Sequence, residues 1–170
     1  MIELPNENTD HYYPGAEPAL LLIDAQKWVD KLSNKHKNKR PFQVFGENLR
    51  GHSILLSRFL KPLKPPTDLV DLDRQPEPYA LEKCARFVSM IPFINDLKMF
   101  KDLPDMYTNC QEFLDLGGGD CEEHAILLAN FFQYIDDRQA PGKFKTYLVF
   151  GYAMPEGRVV FVMRKHKDPL

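Results

Sequence analysis

The sequence predicts an α+β domain, and two stretches predict it. "GGGDCEEHAILLANFF" (117–132) is a glycine turn followed by a capped helix that is apolar on nearly every face. "FKTYLVFGYAM" (144–154) and "RVVFVMR" (158–164) are rich in aromatic and β-branched residues, and the turn-forming "PEG" (155–157) joins them. The expected arrangement is a buried central helix opened by Cys121, then an antiparallel β-hairpin, with helices first and strands last.

The remaining elements follow along the chain. Residues 1–18 carry three prolines and few apolar side chains, so an irregular tail is expected. From Ala19 to Leu32, the residues Leu21, Ala25, Trp28, Val29 and Leu32 recur at helical spacing and give one apolar face. "SNKHKNKR" (33–40) ends that helix as a solvated basic loop. "FQVFGENL" (42–49) reads as a short strand, and "GHSILLSRFL" (51–60) as a short helix or an extended apolar segment. Five prolines force residues 61–78 into an extended path, whose Leu63, Leu69, Val70 and Leu72 should lie against the domain or a neighbour. Residues 79–91 read as a helix with Leu81, Ala85, Val88 and Ile91 inward, stopped by Pro92. Residues 93–105 read as a loop and 106–116 as a second short helix. The expected divisions are 1–41 (tail and amphipathic helix), 42–78 (extended, proline-rich) and 79–170 (the core).

Composition narrows the function. A chain of 170 residues makes one domain the default. A formal net charge of −2 argues against general attraction to nucleic acid or to anionic membrane. "ALLLI" (19–23) is too short to span a bilayer, and the polar, acidic N-terminus is no signal peptide. Cys84, Cys110 and Cys121 do not make a disulfide framework, which points to a reducing, cytosolic setting. Cys84 and Cys110 read as small core residues. No metal or other cofactor is expected from the His and Cys spacing.

Cys121 is the candidate nucleophile. Asp120 is a good N-cap, and Glu123 three residues on completes a capping box. A thiol at the first helical position faces free N–H groups and the positive end of the dipole, which favour the thiolate. Asp120, Glu122 and Glu123 act the other way if ionised nearby. A working nucleophile also needs a histidine base and an orienting third group. His11, His36 and His52 lie upstream, and His124 sits one turn after Cys121 on the same helix. His166, on or just after the second strand, is the one candidate in the right order, with Asp168 as its possible orienter.

"GDCEEHAILLANFF", followed by a strand ending "GYAMPEG", resembles the transglutaminase-like (papain-like peptidase) fold. "SRFLKPLKPPTDLVDL" (57–72), "ARFVSMIPFINDLKMF" (85–100), "NCQEFLDLGGGDCEEHAILLANFF" (109–132) and "AMPEGRVVFVM" (153–163) resemble the C-terminal region of the coiled-coil and C2 domain-containing family of the ciliary transition zone. The resemblance runs from about Phe42 to Met163. It implies a cytoplasmic protein of cilia and basal bodies, associated with the cytoskeleton. Its degenerate, non-catalytic domain would serve as a scaffold for other proteins of that assembly. Cys121 falls at the nucleophile position of the broader fold, where family members commonly carry an acidic residue. The chain stops where the enzymes place their His and Asp strands. Two readings follow: a non-catalytic interaction module, or a thiol hydrolase or acyl transferase with Cys121 as nucleophile.

Overall fold

A computed structural model describes residues 16–35, 44–96, 106–155 and 157–167. The elements in order are α1 (Ala19–Lys35), β1 (Phe45–Asn48), β2 (Ser53–Leu55) running into a 3-10 turn (Leu56–Phe59), α2 (Glu77–Ser89), β3 (Met106–Tyr107), α3 (Cys110–Leu116), α4 (Cys121–Gln139), β4 (Phe144–Ala153) and β5 (Gly157–His166). The α+β class and the terminal hairpin match the sequence reading.

The centre of the molecule is α4. Ala125, Ile126, Leu127, Ala129, Asn130, Phe131 and Ile135 are all buried, as its all-round apolar character demands. On one side lies α2, which buries Ala80, Cys84 and Val88 at four-residue spacing. The inward stripe is therefore turned by about one residue from Leu81, Ala85 and Val88, which makes Cys84 rather than Ala85 the centre of the contact. Cys84 and Cys110 are core thiols, 0% and 2% exposed.

A small sheet, ordered β2-β1-β3, adds Ile54 and Tyr107 to the same buried core. β1 pairs antiparallel with β2 and parallel with β3. β3 takes Met106 and Tyr107 out of the helix expected over 106–116. Asn109 is the reason: its side chain accepts from Gln111 and Glu112 N–H while Glu112 accepts the Asn109 N–H, so the helix starts at Cys110.

The proline-rich segment packs along the back of α4. Asn130, fully buried, accepts the Lys61 N–H at 2.9 Å and donates to the Phe59 carbonyl at 2.8 Å and to Cys110 Sγ at 3.2 Å. Its own carbonyl accepts the Leu63 N–H at 3.0 Å. Nine residues further along α4, Gln139 Nε2 donates to the Leu72 and Gln75 carbonyls. Leu63 and Val70 are buried between these two staples.

The hairpin rests one face on α4. Arg164 fixes its base by pairing with Asp136 at 2.7 Å and with Glu77, and by lying 3.3 Å over the Phe144 ring. The N-terminal helix α1 continues to Lys35, past its expected end. It buries only Val29; Trp28 is 55% exposed and, with Ala25, lines an open hollow against Val44, Leu55, Leu56 and Phe150. Residues 1–15 of the expected tail (1–18), the basic residues 36–40 and most of the 93–105 loop lie outside the described residues.

Candidate functional site

The glycine run sets the start of α4. Gly117 takes a left-handed φ of 73° as the C-cap of α3. Gly119 pairs with the segment after α2, accepting the Ile94 N–H at 2.8 Å and donating to the Pro92 carbonyl at 3.3 Å. A Cβ at Gly118 would collide with Ile94, and one at Gly119 would lie within 3.0 Å of the Phe113 ring. The chain thus passes tightly between two segments before Asp120 caps the helix. The capping box is present: Asp120 accepts the Glu122 N–H at 3.1 Å, and Glu123 Oε2 accepts the Asp120 N–H at 3.2 Å.

The half-buried Cys121 opens that helix, and carboxylates dominate its surroundings. Its Sγ–H donates to Glu122 Oε2 at 2.9 Å. Burial, then the Glu122 hydrogen bond and charge, then the Asp120 charge push the thiol up to about 12. The Val160 main-chain N–H, reaching Sγ from β5, acts in the opposite direction and is outweighed. At neutral pH the group is a thiol, not a thiolate.

The residue that β5 brings to the sulfur is therefore Val160. His166 lies six positions further along the strand, about 20 Å away at the rise of an extended chain. There its ring stands edge-on to Phe144, with 5.1 Å between centroids. The structure thus does not bring His166 to Cys121, because strand register, not order along the chain, decides what meets the helix start. Asp168, His11 and His36 lie outside the described residues. His52 sits in the turn before β2, its N–H held by the Asn48 side chain. His124 Nδ1 lies 2.6 Å from the Asp120 carbonyl and Nε2 lies 3.0 Å from the Ile91 carbonyl. With its ring edge-on to Phe113, it clamps the helix start to the segment after α2, and neither nitrogen is directed to the sulfur.

Next to the thiol is a cluster that the sequence reading missed. Carboxylate oxygens of Asp96, Asp120 and Glu123, all three residues buried, lie within 4.8 Å of one another. Main-chain donors hold them: Met106 N–H on Asp96 at 2.6 Å, and Thr108 N–H on Glu123 Oε1 at 3.3 Å. Burial first, and then mutual repulsion and hydrogen bonding with Asp120, push Glu123 up to about 9. Burial, followed by the Glu122 hydrogen bond and charge, lifts Asp120 to about 7. At neutral pH Glu123 holds its proton and Asp120 is about half protonated, and the trio keys β3 to the N-terminus of α4. These oxygens are also the hard donors that a divalent cation would accept, although main-chain N–H groups already occupy them. The Asp120–Glu123 half was readable as a capping box. Asp96 carries no local signal.

Comparison with known proteins adds two findings. Residues 105–169 match the family model of the CEP76 peptidase-like domain. The chain is distantly homologous to Protein CC2D2B of Homo sapiens, a coiled-coil and C2 domain protein, at 29% identity over 168 residues. The match covers 89% of this chain and 11% of that protein's length. Both agree with the resemblance read from the sequence.

Proposed function

We propose that this chain is a non-catalytic interaction module on a degenerate transglutaminase-like fold, working within a ciliary or basal-body assembly. The observation that carries the non-catalytic half is the environment of Cys121. A carboxylate holds its proton, Val160 occupies the position on β5 nearest the sulfur, and His166 lies about 20 Å along the strand. General-base activation needs a histidine nitrogen within hydrogen-bond reach of the nucleophile, directly or through one water. The ciliary half is supported by the kinship to a coiled-coil and C2 domain protein. Exposed apolar residues on α1 (Leu20, Leu21, Ile23 and Trp28) and on the hairpin (Phe161, Met163) support a binding role.

Replacement of the native protein in ciliated cells tests both halves. A tagged chain should concentrate at the ciliary base, and Cys121→Ser should support cilium formation as well as the unaltered chain. A diffuse distribution would sink the ciliary reading. Loss of cilia with normally folded Cys121→Ser protein would revive the thiol hydrolase or acyl transferase.

A further inference from the structure

The outward face of the hairpin has an order that neither the fold nor the reading above uses. Cross-strand partners share a face in an antiparallel ribbon. The register places Lys145 opposite Lys165, Tyr147 opposite Met163, Val149 opposite Phe161 and Gly151 opposite Val159. The Lys167 N–H donates to the Lys143 carbonyl at 2.8 Å, which adds one more row at the base. Alternate rows, with Thr146 and Val160 buried, face α4. From base to tip, the outer face is thus two rows of paired lysines followed by three apolar rows. Phe161 is 53% and Met163 44% exposed.

Like charges directly opposite on a ribbon destabilise it. None of the four lysines makes an ion pair with a described residue. Asp136 and Asp137 line a hollow of about 320 Å³ with Lys145 and Lys167, but Asp136 is paired with Arg164. Asp137 is the one unpaired carboxylate among the described residues of that hollow, so the four lysines outnumber the counter-charge facing them there.

We propose, resting on the interaction-module reading, that this face docks an amphipathic α-helix of a partner protein, with glutamates or aspartates at one end of its apolar stripe. Charge complementarity fixes the acidic end over the lysines. Dimensions fit a helix: the five rows span about 27 Å at strand rise, the length of about 18 helical residues. Two strands about 4.8 Å apart, with their side chains, make a bed for one helix about 10 Å wide. An added strand would pair at an edge and leave the face bare. A second copy would set lysines on lysines or on apolar rows, and so supply no anion. Segregation of charge along the ribbon suits a partner of segregated charge better than a laterally uniform anionic bilayer.

The test uses the full 170-residue chain and two labelled helical peptides sharing one leucine stripe, one ending in glutamates and the other in lysines. Anisotropy should show the acid-ended peptide binding at least about tenfold tighter. Lys145→Glu/Lys165→Glu should reverse that order, as should Lys143→Glu/Lys167→Glu if the first pair perturbs folding. Phe161→Ser should weaken both peptides. No saturable binding of the acid-ended peptide, or an order that survives lysine reversal, overturns the inference. Lysine-dependent binding to phosphatidylserine vesicles without peptide binding would assign the face to membrane instead. Self-association abolished by Phe161→Ser would assign it to a second copy. Peptide binding that maps to α1 would refute this inference while leaving the interaction-module reading standing. A failed Cys121→Ser rescue would refute that reading by itself.

Discussion

The protonation of Cys121 gives the sharpest test of the site. With the thiol pushed up to about 12, its thiolate at neutral pH is about a thousandfold scarcer than in an ordinary cysteine. A more basic thiolate is intrinsically more nucleophilic, and a Brønsted slope of about 0.45 returns about 20-fold of that loss. Alkylation by iodoacetamide at pH 7 should therefore run about 50-fold slower in the folded chain than in the urea-unfolded chain. Peptide mass spectrometry resolves Cys121 from Cys84 and Cys110, so no background substitutions are needed. Burial alone also slows alkylation, so the decisive readout is the pH profile: the rate should still be climbing at pH 10. Glu122→Gln removes a negative charge and leaves only a weaker, neutral acceptor, and should shift the profile to lower pH. A plateau below about pH 8.5 in the unaltered chain would refute the reasoning and mean a primed nucleophile.

Other perturbations probe the framework. Asn130→Ala leaves the Lys61 N–H and the Phe59 carbonyl without their partner in a fully buried site, and should cost about 3–5 kcal/mol in urea unfolding; a loss under 1 kcal/mol would mean that the proline-rich segment is held otherwise. In the same variant, exchange protection should fall at the Lys61 amide more than at Leu63, whose acceptor is the main-chain carbonyl of residue 130. Glu123 and Asp120 are raised in the fold, so their contribution is fully present below about pH 4 and is lost as pH rises through about 7 and then 9. Stability should fall between about pH 5 and 9 by up to about 1.4 kcal/mol per pH unit per proton lost, and Glu123→Gln should flatten that slope; an unchanged slope would place the protons elsewhere. Lys165→Glu converts a like-charge row into an opposite-charge one, and should raise the melting temperature by about 1–4 °C; a fall would mean that the lysines already have a counter-charge.

What could be read from the sequence depended on whether the signal was local. The start of α4 was legible because Asp120 and Glu123 are three residues apart, and its burial was legible because apolar residues cover every face. The hairpin was legible from β-branched composition. The acidic pressure on Cys121 was also legible, because Asp120, Glu122 and Glu123 adjoin it. Non-local pairing was not. β3 exists because Met106 and Tyr107 lie beside Glu47 and Asn48 of β1, and nothing within 106–116 announces that. The start of α3 carried a local signal, Asn109 with Glu112, but the apolar Met106 and Tyr107 drew the expected helix too far back. Helical spacing put Trp28 on one apolar face with Leu21, Ala25, Val29 and Leu32, and of these only Val29 is buried. His166 was chosen by order along the chain, and only the ladder register shows that Val160 takes its expected place. The lysine rows have period-two spacing on both strands, yet they become one feature only when Lys145 is known to face Lys165.

Like-charge repulsion sets the nucleophile position against the acidic cluster. A helix N-terminus stabilises one nearby anion by about 0.3–1 kcal/mol, and by up to about 2 when partly buried. The donor atoms of Asp120, Cys121 and Glu122 lie within 4.8 Å of one another. At that separation and an effective dielectric of about 20, each like-charge pair costs about 3.5 kcal/mol. One ionised neighbour therefore outweighs the dipole, and the cluster already confines its own charge by keeping a proton on Glu123 and raising Asp120. A thiolate at Cys121 would add a further anion to a site that already holds a proton on Glu123 and raises Asp120 to about 7. Recovering a nucleophile would take more than a histidine at Val160: the acids that cap α4 and key it to β3 would have to be neutralised too, and with them would go contacts that hold the helix start in place. On the non-catalytic reading proposed above, the start of α4 serves as an anchoring point, and the faces turned away from it are where binding is sought.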